Sequence, residues 1–320
     1  MGVAGVKRAA GPPQGDRPLE GAARSAVRGD PAGAARPLDR LRDAWIAASA
    51  RHPLLRDARL FQIAFLATLL SIGALARDFA LLPQQMLLAF AAGLATQVAW
   101  IRALRIERRG VLSALITCFG LSILLRADSL WVHPLAAALA ISSKFVLRVR
   151  GKHVCNPANL GVIASIALLP GTWVSAGQWG QDIALAAWFV ALGGIVTQRA
   201  RRADVAWTFL AAYLGLVALR VVALGQPWAI LVHQLANGGL LLFAFFMISD
   251  PMTIPNRRDA RIAYAIVVAI AAFLWHFALF RPNGLVWALF FCTPLVPLMD
   301  RLWSAEKFEW RAPPRLRVVK

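Results

Sequence analysis

The chain has 320 residues, of which 59% are hydrophobic, and it carries a formal net charge of +19. Soluble globular domains average roughly 45–50% apolar residues, so this composition points into a lipid bilayer. The basic residues fall in short clusters between apolar runs of membrane-spanning length, a pattern that excludes a nucleic-acid footprint and leaves no nucleic-acid partner expected.

In chain order, residues 1–36 are rich in Gly, Ala, Pro and Arg without periodicity and predict a disordered basic cytoplasmic tail. No apolar stretch follows Met1, so no cleaved signal peptide is expected. Over 37–50, Leu38, Leu41, Trp45 and Ile46 share one face, which predicts an interfacial amphipathic helix or a few turns free of the membrane. A membrane domain then fills 51–305. Ten spans are predicted at 60–76, 83–100, 111–125, 130–146, 156–169, 183–197, 206–224, 229–248, 262–280 and 284–299, and a basic cytoplasmic tail closes the chain over 306–320.

The charges orient these spans. Arg102, Arg105, Arg108 and Arg109 follow span two, and Lys144, Arg148, Arg150 and Lys152 follow span four. Arg199, Arg201 and Arg202 follow span six; Arg257, Arg258 and Arg261 follow span eight. Only Arg77, Arg126, Arg220 and Arg281 fall on the other side. The positive-inside rule therefore predicts an all-α, multi-pass protein of the cytoplasmic (inner) membrane with both termini cytoplasmic. Trp131, Trp173, Trp179 and Trp228 mark the outer boundary, and Trp100, Trp207 and Trp303 the inner one. An echo at an offset of 100 (Val132-His133-Pro134-Leu135-Ala136 against Val232-His233-Gln234-Leu235-Ala236) raises the question of an internal repeat with broken helices.

Three features bear on chemistry. No acidic residue lies mid-span, which argues against an autonomous proton or sodium pump. Cys118, Cys155 and Cys292 stand apart without a CxxC pair, so neither an iron–sulfur cluster nor a zinc site is expected and small apolar fillers are. The polar threshold Asn156-Pro157-Ala158-Asn159 reads as a helix start at the inner boundary, with Asn as cap and Pro in the first turn. A well-capped helix without a ligand is the plain alternative. A single NPA tripeptide lacks the second copy that water channels use. Asn237-Gly238-Gly239 interrupts span eight, and Ser249-Asp250-Pro251 ends it on the side where Asn156 begins its helix. The two together predict a shared inner pocket.

The ordered strings SALITCFGLSILL (113–125), Lys144, CNPANLG (155–161), FAFFMISDPMT (243–253), RPNG (281–284) and TPLVPLMD (293–300) resemble the NqrB/RnfD membrane family over roughly residues 60–305. That family comprises the B subunit of the sodium-translocating NADH:quinone oxidoreductase and the D subunit of the Rnf complex, with typical strings FNPA, TDP, YPDG and APLID. The resemblance is greatest to its short stand-alone members, including membrane proteins of enediyne biosynthesis clusters. It implies a ten-helix fold and a flavin-dependent electron-transfer subunit, at most one part of a redox-driven oxidoreductase or translocase. Other membrane or cytoplasmic electron-transfer proteins are the implied partners. Family members typically carry FMN phosphoester-linked to a threonine in a long outer segment between spans five and six. Here that segment is PGTWVSAGQWGQD, with Thr172 as its only threonine, so the covalent FMN is expected to be absent. Cys155 stands where phenylalanine is usual, and TDP becomes Ser249-Asp250-Pro251.

What remains is an inner pocket of Lys144, Asn156, Pro157, Asn237, Asp250 and Thr253, expected to hold riboflavin or FMN without a covalent bond. Two other readings stand beside it. One is a small-molecule transporter or permease reusing the same pocket. The other is a b-type haem held by two of His133, His233 and His276, all near the outer ends of their spans.

Overall fold

In the computed structural model, residues 57–76, 82–106, 110–175 and 183–308 are described. The expected tail 1–36, the expected helix 37–50 and most of 306–320 lie outside them. The helices are α1 (Ala58–Ala76), α2 (Pro83–Ala103), α3 (Val111–Leu124), α4 (Val132–Val146), α5 (Pro157–Leu168), α6 (Ile183–Arg199), α7 (Ala203–Ala223), α8 (Ala229–Leu235), α9 (Gly238–Leu242), α10 (Arg258–Phe277), α11 (Gly284–Cys292) and α12 (Leu295–Leu302). A π-helical turn, Phe243–Met247, continues α9. Four short strands complete the described residues: β1 (Leu125–Ala127), β2 (Arg148–Val149), β3 (Lys152–His153) and β4 (Thr172–Val174).

Each expected span has a helical counterpart, but the helices differ in kind. By length and composition α1, α2, α7 and α10 can cross a membrane alone. Two further pairs are long and apolar enough to cross together but are bent, α8 with α9 and its π-helical turn at 45°, and α11 with α12 at 46°. Helices α3, α4 and α5 are shorter, with 14, 15 and 12 residues. At 1.5 Å per residue α3 and α5 reach only about 21 and 18 Å, short of the roughly 30 Å hydrocarbon core. Strands β1 and β4 extend them by about 10 Å each. Backbone at that depth must be paired, and the strands pair with each other: Leu125 lies opposite Val174, Arg126 opposite Trp173 and Ala127 opposite Thr172. Arg126 donates to the carbonyls of Ser122 (2.9 Å) and Leu125 (2.7 Å), placing a cation over the C-terminus of α3.

The long helices show why they sit where they do. On α10 the buried positions Arg261, Tyr264, Ala265, Val268, Ala269 and Ala272 recur every three or four residues and face α7. Ile266, Val267, Ile270 and Leu274 point outward, as lipid-facing residues do. The packing order repeats. Helix α2 lies on α4 and α4 on α5, while α7 lies on α10 and α10 on α11; α1 meets α3 as α6 meets α9. The contacts among the first five expected spans thus recur in order among the last five, as in an internal repeat. The echo at an offset of 100 is not this repeat. Val132 begins α4, whereas Val232 sits inside the half-helix α8, whose structural counterpart is α3.

Two ends result. One gathers the basic loops around Arg102, Arg148, Lys152, Arg202 and Arg261, and is called the basic end below. The opposite end carries the β1–β4 pair and the starts of α8 and α11. Trp131, Trp173 and Trp228 are exposed at the opposite end, and Trp207 and Trp303 at the basic end, as an aromatic belt requires.

Candidate functional site

The site grows from the start of α5. The Asn156 side-chain oxygen accepts from the Asn159 amide at 3.0 Å, and Pro157 takes the first helical position, where its missing N–H leaves nothing unpaired. The Asn156 Nδ2 donates to the carbonyl of Met247 at 3.3 Å. That carbonyl belongs to the π-helical turn, where the wider i to i+5 bonding (Ile248 N–H to Phe243 at 3.0 Å) displaces the ordinary ladder. One asparagine thus starts α5 and ties it to the end of span eight. Gly161 permits the close approach that follows. A Cβ there would stand 2.9 Å from Ala140 Cβ and from Leu121 Cδ2, and 3.0 Å from the Ala136 carbonyl.

The loop after the π-helical turn is fixed from below. Asp250 accepts from the Met252 amide at 3.0 Å through Oδ1. Thr253 donates through its amide (3.1 Å) and its hydroxyl (3.3 Å) to the Asp250 carbonyl. Further along, Lys152 Nζ donates to the Ile254 carbonyl (2.5 Å), Asn256 Oδ1 (3.2 Å) and Asp300 Oδ2 (2.6 Å). Asp300 Oδ1 in turn accepts from the Asn256 amide at 2.8 Å. Arg261 adds a pair with Asp204 at 2.6 Å and donates to the Asn256 carbonyl.

Between α1, α3, α5, α6 and the π-helical turn lies a cavity at the basic end, with about 970 Å³ of empty space, part of it open to solvent. Asn156, Pro157 and Asp250 line it beside Leu124, Phe246 and Met247. Burial pushes the Asp250 carboxyl above its ordinary range, against the Met252 amide, the Lys144 charge, the Thr253 hydroxyl and the Lys152 charge. His153, also in the wall, is pushed down to about 4 by burial and by the Lys144, Arg148 and Lys307 charges, with the Lys144 carbonyl acting the other way. Burial lowers Lys152, and Asp300 opposes it.

The structure therefore brings together three of the six expected residues and places the others beside or away from them. Lys144 is buried on α4 and donates to Gln97 Oε1 at 3.2 Å, so it stands behind the cavity wall and reaches Asp250 only through its charge. Thr253 is buried under the loop and supports Asp250 from outside the lining. Asn237 belongs elsewhere, which corrects its assignment to the inner pocket. Half-helix α8 has only seven residues, about 10 Å of rise, so the break it leads to stays in the opposite half of the membrane. There Asn237 caps α9, accepting from Gly239 (2.9 Å) and Leu240 (3.2 Å). It lines a second cavity, with about 740 Å³ of empty space that includes open solvent, which shares Leu124 and Met247 with the first.

Sequence reasoning missed Arg59, Ser113, Thr117, His153 and Thr197 in the first cavity. His153 lies just ahead of the CNPANLG string, and its position three residues before the cap was the available signal. Arg59 and Thr197 arrive from α1 and α6 through tertiary packing, which no local pattern carries. The three histidines go to separate places. Buried His133 has Nε2 at 3.2 Å from the Leu125 carbonyl, His233 is exposed on α8, and His276 lines the second cavity. The three cysteines are free and buried, as fillers should be.

The family model described as NQR2, RnfD, RnfE matches residues 173–309, a stretch that contains α8, α9, the π-helical turn, the Asp250 loop and Asp300. Over that stretch the chain is similar to the NQR2, RnfD, RnfE family. A relative, the D subunit of the ion-translocating oxidoreductase complex of Stutzerimonas stutzeri, is 35% identical over 71 residues, 22% of this chain and 20% of that protein. The match thus spans about a fifth of the length of that curated relative. The family stretch includes the second-half residues that clamp the first-half helix start, so the cavity is built from both sides of its boundary.

Proposed function

We propose that this multi-pass membrane protein is an electron-transport subunit of a larger complex, with riboflavin or FMN held non-covalently in the cavity at the basic end and no covalent FMN. The observation that carries the reading is the convergence of the Asn156-Pro157 helix start and the Asp250 loop on one cavity. Its donor set fits an isoalloxazine. Leu124, Phe246 and Met247 offer apolar walls, and Asp250 accepts a ring N–H. The Thr117 and Thr197 hydroxyls donate to their own helix carbonyls and keep lone pairs facing outward. A bound flavin supplies one- and two-electron transfer; the chain supplies orientation and the positive field of Lys144 and Lys152, which stabilises negative charge on the ring. The family match and the Rnf-type relative support membership of such a complex.

The test is the absorption spectrum of the purified protein before and after denaturation. Flavin bands with flavin released on unfolding are expected; a folded, colourless preparation that releases none refutes the reading.

A second reading is favoured by one observation: the two cavities abut at Leu124 and Met247. A passage for a small molecule closed by these two side chains is the transporter alternative. Uptake into proteoliposomes containing this protein alone, increased by Met247→Ala, supports it; strict inertness of both proteins removes it.

A further inference from the structure

A third cavity opens at the basic end, between the β2–β3 hairpin and the segment that follows α12, with about 650 Å³ of empty space that includes open solvent. The hairpin register, Val149 opposite Lys152, leaves Arg150 and Gly151 as its two turn residues, and both have positive φ, 51° and 78°. Such turns ordinarily carry Asn or Asp before Gly, because a longer side chain is strained there. Here the strained position carries Arg150, whose side chain lines the cavity and meets no carboxylate among the described residues. From the far end of the chain Lys307 donates to the Gly151 carbonyl at 2.7 Å, and Arg148 donates to the same carbonyl at 3.1 Å. Three cations are thus gathered around one turn, and none forms an ion pair among the described residues. The carboxylate in the cavity wall, Asp300, is already spent: Oδ2 takes Lys152 and Oδ1 takes the Asn256 amide. Glu306, next to Lys307 in the chain, is exposed and pairs with none of the three. Cations on a convex face are simply solvated. Cations that converge on a concavity, one of them held in a strained conformation, are the arrangement that clamps a ligand.

The donors define the ligand as an anion rich in oxygen. Arg150 offers a planar fork of N–H groups, and Lys307 keeps two of its three ammonium donors after serving Gly151. The Ser304 hydroxyl, also in the lining and without a hydrogen bond among the described residues, adds a neutral donor. A tetrahedral phosphate has acceptor oxygens enough for all three, and a guanidinium recognises it through two parallel bonds. The walls define what carries the phosphate. Val296 and Pro297 line the cavity, and the segments that bound it expose apolar side chains: Val146, Leu147 and Val149 on one side, Leu298, Leu302 and Trp303 on the other. A basic cavity flanked by apolar side chains at a membrane boundary suits a charged headgroup with acyl chains beside it. From this arrangement we infer that the cavity holds a phosphate ester, brought as the headgroup of an anionic phospholipid, with Arg150 and Lys307 as its charged contacts. The site stands apart from the flavin reading of the first cavity and does not depend on it.

Dioleoyl phosphatidylglycerol is the probe, with dioleoyl phosphatidylcholine and glycerol 3-phosphate beside it. Native mass spectrometry of the full chain released from mild detergent micelles counts bound molecules for the native protein and for Arg150→Asn, Lys307→Gln and Arg102→Gln. The last removes the same charge at the same end but outside the cavity. One saturable phosphatidylglycerol, held in preference to phosphatidylcholine, is expected. Its affinity should fall about tenfold in Arg150→Asn and in Lys307→Gln, the loss of one charged hydrogen-bonding group each, and stay unchanged in Arg102→Gln. Arg150→Asn installs the side chain that the turn prefers, so its melting temperature without lipid is expected at or above that of the native protein. Weaker binding alongside equal or higher stability separates a ligand contact from a structural one. Four results overturn the inference: no saturable phosphatidylglycerol on the native protein, native-like binding by both Arg150→Asn and Lys307→Gln, an equal loss in Arg102→Gln, or glycerol 3-phosphate bound as tightly as the lipid. The third would make the effect one of general surface charge, and the fourth would replace the lipid by a soluble ester; both leave the flavin reading standing.

Discussion

Lys152 and Asp300 offer the sharpest test of how the basic end is held. Their side chains are 8% and 10% exposed, and the pair sits at 2.6 Å with Lys152 also bonded to the Ile254 carbonyl and Asn256 Oδ1. Lys152→Met deletes three hydrogen bonds and leaves a carboxylate supported only by the Asn256 amide, a loss of about 3–5 kcal/mol for a broken buried pair. Asp300→Asn keeps an oxygen to accept from Asn256 and leaves the ammonium with two neutral acceptors, the Ile254 carbonyl and Asn256 Oδ1, so its cost is about 1–3 kcal/mol. The double variant buries no charge in this place. Its cost is expected to fall below the sum of the two by about 2 kcal/mol, the signature of residues that act as a pair. Equilibrium unfolding in mixed micelles, followed by tryptophan fluorescence, measures all four corners of the cycle. Strict additivity would refute the account of this network as a coupled clamp.

Three further outcomes follow from particular residues. His153 stays neutral in the folded protein down to about pH 4, whereas an unfolded histidine binds a proton near pH 6.5. Stability contributed at neutral pH is therefore lost as pH falls from about 6.5 to 4, by up to about 3 kcal/mol, and a pH series of unfolding curves should flatten over that window in His153→Asn. Gly161→Ala must push a methyl into Ala140, Leu121 and the Ala136 carbonyl and is expected to cost about 1–3 kcal/mol. Gly194, where nothing lies within 4 Å, should accept alanine with a gain of about 0.5–1 kcal/mol; thermal melts of the two variants side by side check the contrast. Asn156→Ala loses both the α5 cap and the bond to Met247 and is expected to cost about 1–2 kcal/mol, while Asn156→Ser keeps the capping half; the same thermal melts rank the two.

The helices were legible because their signals are local. Charge alternation fixed which loops share an end, Pro157 and Asn156 marked the start of α5, and Asn237-Gly238-Gly239 marked the break before α9. Depth was not legible. Nothing in the span lengths told that α8 would stop after seven residues, and that short half-helix alone moved Asn237 into the other cavity. Side-chain direction was equally hidden: the sequence puts Lys144 in the inner pocket, but Gln97, 47 residues earlier, claims its ammonium. The shortness of α3 and α5 was masked because β1 and β4 are apolar too, so hydropathy runs straight through the change from helix to strand. The repeat was visible in packing and not in letters, since lipid-facing and core positions constrain volume and polarity more than identity.

The Lys152–Asp300 clamp also bears on how the chain is made. Lys152 is synthesised 148 residues ahead of its carboxylate partner. At about 5–20 residues per second, the membrane receives that lysine some 7–30 s before Asp300 exists. For the first 102 residues of that interval the ammonium has none of its partners to meet, and until the end of it no carboxylate, so it must remain in the aqueous interface. The Asp250 loop cannot settle either, because its anchor lies on the last of the described helices to emerge. The cavity at the basic end is consequently a late product of assembly, completed only when α12 arrives, and a nascent chain stopped before Asp300 would have most of its helices but no site.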